Sequence, residues 1–535
     1  MSNEDNLGPN VRGALAYHES TKLSYINLKN KPPLYKSYQG LTVFPMPGEN
    51  LDLDVPVLEA VASALARPKA PLELLGLARL LYLSAGLIRK AHLPVAGEVH
   101  YRAAASAGAL YPVEVYVVCG DIPGLDAGVY HFSPAGFSLV RLRQGDLRGN
   151  LAGALADSSP VDSAAASLIL TVNFWRSAWK YRLRGYRYCY WDTGTILSNL
   201  LATASGQGLQ AQAICGFLDG QVNDLLGLDS DKEAAVCVVP LGGPTAGSEA
   251  PSVQTLETLD AYAVDDIGGE IDYPEIREIH QASSFSLKAD VVAWGGAEGP
   301  TPPVVSQEGG SLRPMDTGGR GVPTDGGSLG QAILERGSTR RFARRSIPFS
   351  KFSQVLTAAT TPVAADFLSQ GQPSLLDTYI IANGVEGLAP GSYYYSSAGE
   401  GLETLMLGGL RHEAGHLCFE QALGADASAV FYFMADLGKI MARYGDRGYR
   451  AAQLEAGILG GRVYLCAHTL GLGASGMTFY DDDVTEFFSP HATGKSLMFL
   501  VALGETDENN RVRPFRSRVG ILLDSLARGA GKPES

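Results

Sequence analysis

Two stretches of this chain share one pattern at a fixed distance. "GLDAGVY" at 124–130 answers "GLAPGSY" at 387–393, and 387 − 124 = 263. Lys180 and Arg443, Tyr181 and Tyr444, Gly185 and Gly448, and Gly208-Leu209 and Gly471-Leu472 stand the same 263 residues apart. "FLDGQV" (217–222) and "FYDDDV" (479–484) are offset by 262, a one-residue deletion. A register held over about 95 residues identifies two copies of one folding unit. The copies are called here the front and back repeats.

A length of 535 residues exceeds one hydrophobic core and is consistent with two tandem units. "VEVYVVC" and "LDTYIIA" read as strands, and "SLILTVNFW" and "SAVFYFMA" as buried strands. "DTGTILSNLLATAS" and "QLEAGILGGRVYLCAHTL" carry apolar residues at helical spacing and stop at glycine. Each copy closes on a strand, "AAVCVVPLG" and "SLMFLVALG". The expected class is α+β, a helix-flanked central sheet made twice. Gly, Pro and Ser dominate 295–329, which reads as a linker. The expected division is residues 1–247, a connecting segment 248–329, and residues 330–535.

A formal net charge of −13 argues against nonspecific binding to nucleic acid or an anionic membrane. No apolar run approaches the length of a membrane span, and "MSNEDNLGPNVRG" lacks the apolar core of a leader, so a cytoplasmic protein is expected. The six cysteines form no CxxC pair and read as small buried hydrophobes. His412-Glu413-Ala414-Gly415-His416 is formally HExxH. Gly415 weakens the helix such a site needs, no third ligand follows, and the front counterpart "LRGNLAG" has no histidine, so no metal is expected.

The chemistry is expected where the copies differ. In "ERGSTRRF", Arg336, Ser338 and Arg340 alternate, and in "NRVRPFR" so do Arg511 and Arg513. Guanidiniums on one side of a chain suit a phosphate, which they bind as a fork. The front repeat lacks both clusters: its aligned residues are Glu59, Val61 and Ser63. It has instead "RAAASAGALYPVE" (102–114), whose small residues and Gly108 let backbone approach a flat ligand. Each half holds what the other lacks.

The motifs "YHESTKLSY", "KPPLYKSY", "ASAGALYPVEVYVV", "WKYRLRGYRY" and "FLDGQVNDLLGLD", in this order, resemble the FMN-dependent nitroreductase superfamily, and within it the SagB-type dehydrogenases that oxidise azolines in modified peptides. The resemblance implies two tandem nitroreductase-like domains forming an intramolecular pseudo-dimer, complete as a monomer or paired as a homodimer. It implies one composite FMN site. Arg336, Ser338, Arg340, Arg511 and Arg513 would hold the phosphate, and Ser106, Ala107, Gly108 and Ala109 would touch the flavin from the front repeat. Gly476 and Met477 would line the ring from the back repeat. Ala105 stands where the family has proline, and Ala109 where many members have asparagine. The implied substrate is a peptide or other modified natural-product intermediate, with a cyclodehydratase partner that makes the azoline. Reductive, dehalogenating or desaturating flavoenzymes and a flavin-free scaffold are the competing readings.

The same resemblance makes Lys180-Tyr181 the catalytic pair. Azoline oxidation removes a hydride and a proton, and the proton needs a base. Tyrosine, with a pKa of about 10, is a poor one at neutral pH. A positive charge ~4 Å away contributes about 4 kcal/mol at an effective dielectric of about 20, which would favour the phenolate. Only the copy facing the flavin needs the pair, which accounts for Arg443-Tyr444 in the back repeat.

Overall fold

A computed structural model describes residues 30–62, 71–93, 97–242, 250–257, 259, 269–296, 312–316, 327–369 and 373–508. In the front repeat these form strands β1 (Val43–Pro45), β2 (Leu87–Leu93), β3 (Gly97–Arg102), β4 (Val113–Cys119), β5 (Gly128–Ser133), β6 (Ser138–Gln144), β7 (Ala166–Asn173) and β8 (Glu233–Leu241). Six make an antiparallel sheet in the order β1-β6-β5-β4-β7-β8, and β2 and β3 form a separate hairpin. The back repeat contributes β9 (Arg313–Pro314), β10 (Asp377–Ala382), β11 (Gly391–Ser396), β12 (Gly401–Leu407), β13 (Ala429–Ala435), β14 (Gly473–Gly476) and β15 (Ser496–Gly504). Its sheet runs β14-β15-β13-β10-β11-β12-β9. The shared core β5-β4-β7-β8 and β11-β10-β13-β15 is one topology made twice, as the 263-residue register requires. β9 lies inside the stretch read as linker; most of that stretch is outside the described residues.

Strands β4, β8 and β13 are buried along their whole length, and β7 along all but its last residue, so they read as continuous apolar runs rather than alternating ones. Each sheet is covered by a long helix, Gly185–Gly206 in front and Arg447–Thr469 behind. The two helices cross with backbone in contact. A Cβ on Gly194 would lie 2.5 Å from the Leu454 carbonyl oxygen, and one on Gly457 2.5 Å from that of Trp191. Only glycine fits at both points, and 457 − 194 = 263, so the pseudo-twofold axis passes between them.

The repeats grip one another reciprocally. Arg184 and Arg187 reach Asp481 at 2.7 and 2.6 Å, and Arg447 and Arg450 reach Asp219 at 2.7 and 3.0 Å. Arg184 also lies over Phe479 and Arg447 over Phe217. One patch is thus used twice, as in a self-complementary dimer interface. The front clasp is partly exposed and the back clasp is buried. The difference comes from the connecting segment: Phe285 donates its N–H to Asp219 at 2.8 Å, and Ser283 accepts from the Arg450 Nε at 2.6 Å. No helix among the described residues is long and apolar enough to cross a membrane.

Candidate active site

A turn at the end of β3 builds the front side of the site. Gly108, Ala109 and Tyr111 have left-handed φ of 65°, 54° and 49°. Two of these three are not glycine, a conformation that costs of order 1 kcal/mol each and must be held from outside. The long helix holds it: Ser106 Oγ donates to Asp192 Oδ2 at 2.5 Å, Ala107 N–H to Asp192 Oδ1 at 3.1 Å, and Thr195 Oγ1 to the Ala105 carbonyl at 2.6 Å.

Over this turn stands the end of helix Phe174–Tyr181. Asn173 caps that helix by accepting from the Arg176 N–H at 3.1 Å. A Cβ built on Gly108 would lie 2.9 Å from both Lys180 Nζ and Tyr181 Oη, so the two head groups converge where a glycine leaves room. Lys180 and Gly108 are exposed and Tyr181 is half-buried, its ring stacked on Tyr188 at 4.2 Å. The expected depression of the Tyr181 pKa is not what this environment gives. Burial raises it well above the ordinary phenol value, and the Tyr188 and Asp192 charges push the same way. Desolvation of the phenolate sets this direction.

The back repeat supplies Arg336 and Ser338. Ser338 bridges Ala474 of β14, and Thr339 N–H donates to the Ala474 carbonyl at 2.9 Å, so this stretch is extended. Extension puts Arg336, Ser338 and Arg340 on one side, graded from buried to exposed. Tyr464, a residue the sequence reading missed, organises them: its hydroxyl meets Ser338 Oγ at 3.1 Å and accepts from Gly476 N–H at 2.7 Å, and Arg336 lies over its ring. A hydroxyl at a fully apolar helical position was the available signal. Met477 is buried.

Arg336 joins the halves, because its Nη2 donates to the carbonyl of Ala103, three residues before Ser106. The structure thus brings together the turn, Lys180, Tyr181, Arg336, Ser338 and Gly476. Arg340 lies at the exposed end of its row; Arg511 and Arg513 are outside the described residues. The expected equivalence of Glu59 and Val61 with the clamp does not hold. They lie inside helix Val57–Ala62, whereas Arg336 and Ser338 follow the corresponding helix Leu329–Glu335, and the front segment after its helix, with Ser63, is outside the described residues.

These residues fit FMN. Arg336 is buried, burial pushes its pKa down, and among the described residues no carboxylate pairs with it, which suits a cation reserved for a phosphate. Gly108, exposed and without a side chain, suits the approach of a flat ring.

The pseudo-symmetric position is closed. There Glu455 holds the Ser374–Leu375 turn, accepting from Ser374 Oγ at 2.6 Å and Leu375 N–H at 2.9 Å. Tyr444 Oη donates to the Phe367 carbonyl at 2.9 Å, and Trp294 packs on the Tyr444 ring at 4.9 Å. Asp366 accepts from Cys215 N–H, Gly216 N–H and Trp294 Nε1, and Ala213 pairs with Ala365. Ala213, the counterpart of Gly476, is therefore covered by the chain itself.

In the HExxH stretch, His416 places both ring nitrogens against carboxylates, Glu420 at 2.6 Å and Asp483 at 2.7 Å, and these bonds raise its pKa. Among the described residues no group of three or more His, Cys, Asp or Glu side chains is arranged to hold a metal ion.

Residues 59–243 and 333–505 each match the sequence model of the nitroreductase family. A protein of Methanocaldococcus jannaschii named as a nitroreductase is 27% identical over 204 residues, 36% of this chain and 98% of its own length. The microcin B17-processing protein of Escherichia coli is 30% identical over 140 residues, 25% of this chain and 51% of its own. The trifolitoxin-processing protein of Rhizobium leguminosarum bv. trifolii is 33% identical over 148 residues, 26% of this chain. The chain thus spans about half of the first of these two processing proteins and 39% of the second. A crystal structure from Anabaena variabilis, also named as a nitroreductase, superposes with a TM-score of 0.71 at 27% identity and covers 92% of this chain and 99% of that one.

Proposed function

The chain belongs to the nitroreductase family, in two tandem copies, and on that premise we propose that it is an FMN-dependent oxidoreductase that oxidises a thiazoline or oxazoline within a modified peptide to the azole. The observation that carries this reading is the convergence of Lys180 Nζ and Tyr181 Oη on Gly108, at a turn tied to the buried Arg336 of the other repeat. A peptide substrate is supported by the two processing proteins among the relatives. A cyclodehydratase that forms the azoline is the partner this substrate requires.

Arg336 and Ser338, with Arg340, Arg511 and Arg513 completing the clamp, bind the phosphate. Ser106 to Ala109 and Gly476-Met477 flank the ring. Bound there, FMN supplies a two-electron acceptor that oxygen can reoxidise. Conversion of azoline to azole removes two hydrogens from the ring, one as hydride and one as a proton. The Lys180–Tyr181 pair receives that proton. Burial favours a proton on Tyr181 Oη, so Tyr181 acts as base only when Lys180 and the bound substrate reverse that balance. The repeats satisfy one another's interface, so a single chain makes a complete site, and Trp294 and Asp366 leave no second one.

The test is mass spectrometry of an azoline peptide incubated with the protein in air. Loss of two hydrogens per ring is expected. An unchanged peptide together with NADPH-dependent reduction of a nitroaromatic would overturn this reading. It would favour a reductase, which the match to nearly the whole Methanocaldococcus jannaschii protein supports. A colourless protein that takes up no flavin would leave only a scaffold.

A further inference from the structure

Asp192 stands at the centre of the front site. It lies one turn beyond Tyr188, the stacking partner of Tyr181, and one turn before Thr195 on the same helix. Its two oxygens hold Ser106 and Ala107, and Ser106 Oγ in turn accepts the N–H of Tyr111 at 2.9 Å. One carboxyl therefore fixes both ends of the left-handed turn. The back repeat repeats the device with Glu455 at 455 − 192 = 263, holding a turn beside the closed position.

No cation pairs with Asp192 among the described residues. The groups facing it are Ser106, Ala107 and Tyr111 from the turn, Arg102 across a small cavity, Tyr181 from the short helix with Lys180 beyond it, and Tyr188 and Cys189 from its own helix. Burial pushes the Asp192 carboxyl up to about 7, against the bonds from Ser106 and Ala107, and the Glu455 carboxyl rises to about 7 for the same reason. Asp192 changes charge near neutrality with no counter-ion to absorb it, whereas Glu455 has the buried Arg462 guanidinium within electrostatic reach.

We propose that Asp192 is a positioning residue whose protonation state sets the Ser106–Ala109 turn and, through it, the grip on FMN, while Glu455 is a structural twin without that role. The proposal rests on the flavin reading above. Protonated, Asp192 is a neutral clasp; deprotonated, it places an uncompensated charge under the wall that receives the flavin, and the grip weakens.

The experiment titrates FMN by quenching of flavin fluorescence into wild type, Asp192→Asn and Glu455→Gln at about pH 6 and about pH 8. Asparagine keeps an acceptor for Ala107 but cannot titrate. Titration of the FMN phosphate is common to all three proteins and divides out. Wild type and Glu455→Gln should each weaken by roughly threefold or more between the two pH values, and Asp192→Asn should be flat. A wild-type pH dependence retained in Asp192→Asn overturns the proposal, and so does its loss in Glu455→Gln. If none of the three binds FMN, the flavin reading fails, and amide exchange at Ala107 decides the clasp. Protection with a midpoint near pH 7 that vanishes in Asp192→Asn supports it, and pH-independent protection overturns it.

Discussion

Replacing Asp219 by alanine removes the acceptor from the buried ion pairs between the repeats. Asp219 accepts from Arg447 at 2.7 and 2.8 Å, from Arg450 at 3.0 Å and from the Phe285 N–H at 2.8 Å. Both guanidiniums are buried, with side-chain exposures of 1% and 3%. Burial raises the Asp219 pKa, but Arg447 and Arg450 override it and hold the carboxyl below its ordinary value. Alanine would leave two cations out of water with only neutral acceptors: Cys215, Ser283, His280 and Ser284. Removing one partner of a buried ion pair costs about 3–5 kcal/mol. The pseudo-symmetric Asp481 is 34% exposed, so its pairs with Arg184 and Arg187 are screened, and Asp481→Ala should cost about 1 kcal/mol. Urea unfolding followed by tryptophan fluorescence compares the two, since Trp191 and Trp294 both lie between the repeats. An Asp219→Ala loss no larger than that of Asp481→Ala would refute the reasoning that connecting-segment burial makes the two clasps unequal.

Tyr181→Phe should retain FMN and lower turnover about a hundredfold, because it removes the proton-holding Oη and keeps the ring on Tyr188; undiminished turnover removes Tyr181 from the chemistry. Arg336→Leu should weaken FMN binding by roughly tenfold to a hundredfold, the worth of hydrogen bonds to a charged group, as read by fluorescence titration. Glu455 is raised in the folded protein, so its contribution to stability is present at low pH and lost as pH rises through about 7. Glu455→Gln should therefore flatten the loss of stability between about pH 5 and about pH 8, by roughly 3 kcal/mol relative to wild type.

The duplication was legible because strand pairing and helix packing repeat the same local patterns at one offset, and the sheet cores followed from them. The residues gathered at the candidate site could be picked out where side-chain types are distinctive, as in Arg336, Ser338 and Lys180-Tyr181. Contacts between the repeats were not, because Arg447 and Asp219 are 228 residues apart in the chain and nothing local marks them as partners. The signal existed in the register: Arg184 and Arg447, and Asp192 and Glu455, each stand 263 apart. A carboxyl at one helical position in both repeats, amid apolar neighbours, marks a buried acceptor. The Tyr181 pKa was misjudged because pairwise attraction to Lys180 can be estimated from adjacency, whereas desolvation depends on the packing of Tyr188 and the turn. The closure of the second position was illegible for another reason. Trp294 comes from the connecting segment, and its place against Gly216 depends on a glycine with no room for a Cβ, 2.4 Å from the indole.

Two like folds facing one another offer two equivalent clefts, of which the chain itself fills one, at Trp294 and Asp366. Calorimetric titration of the flavin-stripped protein with FMN counts them directly. One FMN per chain is the predicted result; two per chain, or none, would contradict it.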